Sequence, residues 1–382
     1  MKTQNSERVH IGIFGQTNSG KSTLFNYMTG TDTAIVSSIR GTTTDPIRKA
    51  MELTDFGPVL FIDTAGLNDG TALGEKRIAK TKQVIDKCDV FIYCLNLGDD
   101  RKILTLLETT RKPIIYIAGK QDLDEGLEIF ENYKDLNPLK INIKLKDDRL
   151  KIFDKIKKLY QKEDLSLTKS LVKEGDVVVL VMPQDKAAPK GRLIKPQVMT
   201  IRELIDKNAT AISTNLENLP SSLARLKDKP DLVICDSQVF KETSQIIDQG
   251  TRLTSFSVLF SAFKGDINYF VESVKRLDYP LKRILISEAC THPPIDEDIG
   301  TVKIPKMLKN KYPDLEIEFN RGDDPIDYDR YDLIINCGSC MFNRATMLSK
   351  VEKAKEKNIP MTNYGITIAY LKGILDMVEL PS

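Results

Sequence analysis

At 382 residues and 41% apolar composition, the chain has room for two or three domains that each bury a core. The 56 basic residues against 54 acidic ones leave a net charge of +2, which disfavours bulk polyanion binding and gives only a weak drive toward nucleic acid or anionic membranes. No apolar run approaches the roughly 20 residues of a bilayer span, and residues 1–7 lack the apolar stretch of a secretory signal, so a cytoplasmic location is expected. Six cysteines are too sparse for a disulfide scaffold; in a reducing compartment, clustered thiols are more often metal ligands or redox groups.

The expected fold class is α/β, with three α/β domains, the first built on a doubly wound, mostly parallel sheet. Apolar β-rich runs at residues 9–14, 59–62, 90–95 and 114–118 alternate with helical stretches, the pattern of such a sheet. Between the first run and a helix starting near Ser22 lies Gly15-Gln16-Thr17-Asn18-Ser19-Gly20-Lys21-Ser22, which fits the phosphate-binding pattern GxxxxGK[ST]. Glycines let backbone N–H groups curl around a phosphate, Lys21 neutralises its oxygens, and the Ser22 hydroxyl can ligate Mg2+. Asp63, followed by Gly66 in Asp63-Thr64-Ala65-Gly66, ends the second strand, where a carboxylate holds the magnesium through water. After the fourth strand, Gly119-Lys120-Gln121-Asp122 stands where a guanine-reading NKxD would lie, with glycine in place of asparagine. Asp122 can accept from guanine N1 and N2, and the Lys120 stem can cover the purine.

A helix over residues 145–164 closes this segment, and a boundary is expected near 170. Strands at 177–182, 210–213 and 232–235, with a helix at 198–207, make a second α/β segment over 171–264. Residues 260–266 read as a turn into a helix. Strands at 283–287, 317–319 and 333–336 and helices at 346–357 and 365–377 make a third over 265–382.

The phosphate loop, Gly41-Thr42-Thr43-Thr44-Asp45 and the Asp63–Gly66 segment together resemble the MnmE and Era-like branch of the translation-factor GTPases. That resemblance implies a GTP site formed by Asn18, Ser19, Gly20, Lys21, Ser22, Thr23, Lys120 and Asp122, with Thr43 closing over the magnesium. It also implies that Asn18 helps ligate a potassium ion, K+, in place of an arginine finger. Leu67 occupies the position of a Ras-like glutamine, and Glu75 matches the water-orienting glutamate of the branch.

Cys290-Thr291-His292 and Cys337-Gly338-Ser339-Cys340 gather three of the six cysteines and one of the two histidines just after two expected strands. Parallel strands deliver such loops to one edge, so the two groups can converge on one ion or cluster. Zinc and a 4Fe–4S cluster fit this ligand set equally, and spacing does not separate them. The arrangement CxH, 44 intervening residues, then CxxC, behind an MnmE-like GTPase segment, resembles the FeFe-hydrogenase maturation GTPases of the HydF family over the whole chain. The resemblance implies a homodimer formed through the middle domain. It also implies a last domain whose cluster, on Cys290, Cys337 and Cys340, accompanies a diiron precursor destined for apo FeFe-hydrogenase, with radical-SAM maturases as further partners. His292 or a carboxylate from Asp296, Glu297 and Asp298, Glu297 first among them, would be the fourth ligand. The rival is an RNA-modification or ribosome-assembly GTPase with a structural Cys3His zinc site. Cys88, Cys94 and Cys235 read as buried small hydrophobes, and His10 as structural.

Overall fold

A computed structural model describes residues 5–30, 46–64, 74–99 (side chains from residue 80), 101–160, 166–184, 193–289, 298–322, 324–338 and 341–381. Two compact units result, Met1–Glu163 and Asp164–Ser382.

The first unit runs β1 (Val9–Gly15), α1 (Lys21–Thr29), β2 (Ile47–Leu53), β3 (Gly57–Asp63), α2 (Gly74–Lys87), β4 (Val90–Cys94), α3 (Lys102–Glu108), β5 (Ile114–Ala118), α4 (Asp124–Asn132), β6 (Leu139–Lys140) and α5 (Lys146–Leu159). Sheet order is β2-β3-β1-β4-β5-β6, and every pairing is parallel except β2 with β3. Strands β1, β3, β4 and β5 are apolar on both faces because both faces are covered. Ile11, Ile13, Phe61 and Ile92 pack with Leu24, Phe25 and Met28 of α1 and Ile152 and Ile156 of α5. The alternate residues Phe14, Leu60, Ile62, Phe91 and Tyr93 pack with Val84 and Ile85 of α2, Leu104 and Leu107 of α3 and Ile129 of α4. This period-2 division is the signature of a doubly wound sheet. Strand β2 was not among the expected strands: it is an edge with Arg48, Lys49 and Glu52 largely outside, so it carries no apolar run.

The second unit runs β7 (Val177–Val181), α6 (Lys195–Asp206), β8 (Thr210–Thr214), α7 (Leu219–Leu223), β9 (Leu232–Cys235), α8 (Phe240–Ile246), β10 (Leu253–Ser255), α9 (Phe256–Lys264), α10 (Ile267–Val274), β11 (Arg283–Glu288), α11 (Ile304–Lys311), β12 (Glu316–Arg321), β13 (Leu333–Asn336), α12 (Arg344–Glu356), β14 (Met361–Asn363) and α13 (Tyr364–Leu371). It holds two parallel four-stranded sheets, β10-β9-β7-β8 and β12-β11-β13-β14. One hydrophobic core spans both: Val179, Val181 and Val233 of the first sheet join Ile284, Ile286 and Ile335 of the second through Val258, Ala262, Phe270 and Val274. Lys264 is buried at the end of α9 and donates through Nζ to the Phe342 carbonyl, 2.7 Å away. The segments 171–264 and 265–382 are therefore packed against each other.

Two expectations about helices change. Residues 260–264 lie inside α9, which the Ser255 hydroxyl caps at Val258 N–H, and the turn is Gly265-Asp266. The helix is buried nearly all round, with even its polar Ser261 and Lys264 inside, so it lacks the exposed charged face that marks an amphipathic helix. Helix α13 stops at Leu371, because Gly373 adopts φ 65°, and residues 375–377 form a separate 3₁₀ turn.

Candidate functional site

In the first sheet, β1 has β3 on one side and β4 on the other, so the chain reverses direction across the sheet at the end of β1. Crevices at such switch points, outside the carboxyl ends of parallel strands, are where α/β sheets bind ligands. The phosphate loop leaves β1 there. Gly15 has φ 142°, and a Cβ on it would lie 2.5 Å from the Cys94 carbonyl oxygen and 2.6 Å from Ser19 Oγ, so glycine alone fits. Gly20 precedes α1 at φ 86°, and no side chain caps the helix N-terminus, the kind of end that attracts an anion. Ser19 Oγ is buried without a hydrogen-bond partner, and Lys21, also buried, donates to the Gln16 carbonyl. Asn18 sits exposed on the same loop with φ 63°, and Ser22 and Thr23 are exposed in the first turn of α1. This loop fits a nucleotide phosphate: a helix N-terminus with no side-chain cap, a buried lysine folded beside it and an orphan hydroxyl.

Asp63 is 2% exposed at the end of β3, in register with Ile13, and the next residue, Thr64, donates to the Ile13 carbonyl at 2.6 Å. The structure thus brings Asp63 to the edge that carries Lys21 and Ser22. Burial, the largest influence, pushes the Cys94 thiol up to about 12, Lys21 opposing and Asp63 reinforcing, so Cys94 stays a neutral packing residue. Cys88 and Cys235 are likewise buried, and neutral His10 is held by Asn5 O at 2.8 Å, so all four keep their plain structural roles. Thr43, Gly66 and the side chain of Glu75 lie outside the described residues.

The base-side loop leaves β5 at the same edge. Lys120 pairs with Glu125 at 2.6 Å and reaches Asn96 Oδ1 at 3.4 Å. Asp122 pairs with Lys144 at 2.9 Å; that hydrogen bond lowers its pKa and keeps it an ionised acceptor. Gln121 braces the loop by donating to the carbonyls of Ala118, Gly119 and Gly126. Asn96, Lys144, Gln121 and Gly126 were not anticipated, because their roles depend on proximity that linear order does not display. A Cβ on Gly126 would sit 2.2 Å from the Lys120 carbonyl oxygen, so Gly126→Ala should distort the loop and weaken nucleotide binding. Gly119 faces open space. Gly119→Asn is accordingly expected to tighten GDP binding about tenfold, the net value of one added hydrogen bond (~1–1.5 kcal/mol), in a fluorescent-nucleotide titration.

A second switch point lies in the last sheet, where β11 has β12 on one side and β13 on the other. The segment bearing Cys290 leaves β11 and the one bearing Cys337 leaves β13. Cys337 is half-buried, its N–H donates to Ser287 O at 2.9 Å, and its Sγ accepts from Ala289 N–H at 3.0 Å. Ala289, Phe342 and Met347 form an apolar wall beside it. A main-chain donor aimed at sulfur in a sheltered setting suits a metal-bound thiolate, and the residue before Cys290 supplies it. Tyr364 donates to Glu288 Oε1 at 3.1 Å; burial first, then Cys337 and Glu288, pushes its pKa far up, so it remains a donor. Gly300 lies under this pair, since a Cβ there would be 2.0 Å from Tyr364 Oη and 2.4 Å from Glu288 Oε1. Asp298 Oδ1 is occupied with Thr301, accepting from both its N–H and its hydroxyl. Cys290, His292, Asp296, Glu297 and Cys340 lie outside the described residues, and among the described residues no three potential ligands gather. Glu288, Gly300 and Tyr364 gave no signal in the sequence, being close neighbours only after folding.

The dimerization domain of hydrogen maturase F matches residues 167–265, and its tetramerization domain matches residues 268–379. The chain belongs to the hydrogen maturase F family. Ahead of these two domains, residues 10–120 match the family model described as a 50S ribosome-binding GTPase, so this maturase F chain carries a GTPase domain. GTPase Der of Sulfurimonas denitrificans is 33% identical over 141 residues, 34% of this chain and 28% of that protein. The tRNA modification GTPase MnmE of Helicobacter acinonychis is 34% identical over 135 residues, 34% of this chain and 30% of that protein. The chain thus spans less than a third of the length of these two relatives. A crystal structure of Era from Aquifex aeolicus is 18% identical and covers 56% of this chain and 97% of its own, with a TM-score of 0.33. No helix among the described residues is long and apolar enough to cross a membrane.

Proposed function

We propose that this maturase F chain hydrolyses GTP with Mg2+ in its first segment, residues 1–170. Residues 171–264 would mediate homodimerisation, and residues 265–382 would hold a 4Fe–4S cluster beside a diiron cargo bound for apo FeFe-hydrogenase. The observation that carries the reading is the coexistence in one chain of a phosphate-loop turn into a helix end with no side-chain cap and a donor-lined thiol edge, each at a topological switch point. Lys21 neutralises the β/γ oxygens, the N–H groups opening α1 cradle the β-phosphate, and Ser22 and Asp63 orient the magnesium directly and through water. Thr43 and Gly66 would complete the γ-phosphate side, and Glu75 would orient the attacking water, in which case Glu75→Ala binds GTP normally and turns it over slowly. At the thiol edge, Cys290, Cys337 and Cys340 are the ligands, with His292 or Glu297 as the weaker fourth. The cluster, when bound, supplies an electron-accepting metal centre with one exchangeable position. Phosphoryl transfer builds no metal cluster, so hydrolysis is regulatory, acting on encounters with radical-SAM maturases and the hydrogenase. A cytoplasmic location, with no nucleic-acid partner, is part of the same reading.

The test is anaerobic purification with iron, sulfide and zinc analysis and an EPR spectrum. Iron with sulfide supports the scaffold; a colourless protein with stoichiometric zinc favours the RNA-directed GTPase. For the GTPase half, Asn18 on its exposed loop would hold K+ where an arginine finger otherwise acts. Turnover is expected to rise at least about tenfold in potassium over sodium at equal ionic strength, a small part of what an arginine finger supplies. Equal rates in the two salts would remove this mechanism.

A further inference from the structure

The last sheet ends in a row of polar side chains. Asn320 of β12, Ser287 of β11, Asn336 of β13 and Asn363 of β14 are register partners across all four strands, the level at which the chain reaches Cys337. Parallel partners point to the same face. Asn336 is 1% and Asn363 is 3% exposed, and the side-chain nitrogen of each has no hydrogen-bond partner. For Asn363 the identity of that atom is fixed, because its oxygen accepts from Ile366 N–H at 3.0 Å and caps α13. Ser287 engages Asn320 Oδ1 at 3.4 Å and Lys350 Nζ at 3.5 Å. Two adjacent buried carboxamides with idle donors are costly in a folded chain, unless an acceptor arrives.

We propose that Asn336 and Asn363 donate hydrogen bonds to sulfur of the iron–sulfur cluster held at the adjoining thiol edge, and so raise its reduction potential. This rests on the function proposed above. Sulfide and thiolate sulfur are anionic acceptors, and the ligand Cys337 follows Asn336 directly. A donor to cluster sulfur stabilises the added electron, so deleting it makes the centre harder to reduce. Both residues would be positioning and tuning groups, since neither ligates iron.

The experiment reconstitutes the full chain anaerobically as wild type, Asn336→Leu and Asn363→Ser, both neutral changes, the serine retaining a cap for α13. Iron and sulfide content, an EPR-monitored redox titration and the melting temperature of the cluster-free protein are recorded. The expected result is wild-type iron and sulfide with a more negative midpoint potential in each variant, and a cluster-free Asn336→Leu protein at least as stable as wild type. Cluster loss without a lowered melting temperature would support the contact as well. If the leucine variant does not fold, the neutral Asn336→Ala takes its place with the same expected direction. An unchanged potential in both variants overturns the inference while leaving the scaffold reading standing. A wild-type chain that takes up no iron and sulfide overturns both.

Discussion

Lys21→Ala is expected to leave a folded chain that no longer turns over GTP, with kcat/KM at least about a hundredfold down. The reason is local. Lys21 is 4% exposed and folded against the loop carbonyl of Gln16, so its ammonium is already delivered to the place where β and γ oxygens would sit. The N–H groups opening α1 supply only partial charges, and within the GxxxxGK[ST] motif no second cation exists to replace the lost one. Because Lys21 contributes little to the core around Leu24, Phe25 and Met28, circular dichroism and melting temperature should stay near wild type. Iron uptake should be unchanged as well, the thiol edge belonging to the other compact unit. Wild-type turnover in this variant would refute the nucleotide site.

Cys290→Ala, Cys337→Ala and Cys340→Ala are each expected to lose the reconstituted cluster, read as near-zero iron and sulfide per chain and a silent EPR spectrum. Two thiolates are too few to retain a 4Fe–4S centre dependably. For Cys337 the structure adds a second cost, since alanine also leaves Ala289 N–H without its sulfur acceptor. His292→Ala should keep a cluster with altered EPR features, because a neutral imidazole is a weaker, exchangeable ligand. GTP turnover should persist in all four. Stable zinc in place of iron, or full cluster retention in any of the three cysteine variants, would show the assignment to be wrong.

Where the sequence was informative, burial made it so. Strands β1, β3, β4 and β5 are covered on both faces and appear as continuous apolar runs, and the phosphate loop has a fixed spacing because it must wrap a phosphate. Strand β2 escaped because it is an exposed, charged edge. Strands β10 and β14 escaped because three residues, Leu253–Ser255 and Met361–Asn363, are too few to show a period. The same distinction governs the sites. Lys21, Asp63 and Asp122 belong to motifs that mark the loops leaving β1, β3 and β5. Lys144, Gly126, Gly300 and Tyr364 act through contacts closed by folding, and the Asn336–Asn363 pair exists only through strand register.

The core running from Val179 to Ile335, with Lys264 of α9 bonded to the Phe342 carbonyl beyond the CxxC loop, bears on how information travels in the second unit. A pliant linker between the two sheets would dissipate small displacements. A continuous close-packed interior instead transmits them, much as a stiff beam carries load from one end to the other. A change in charge at the thiol edge would press on Phe342, through it on Lys264, and so on α9, the helix that also covers the first sheet of the unit through Phe256 and Leu259. A displacement that reached α9 would therefore be felt by the first sheet of the unit as well as by the second.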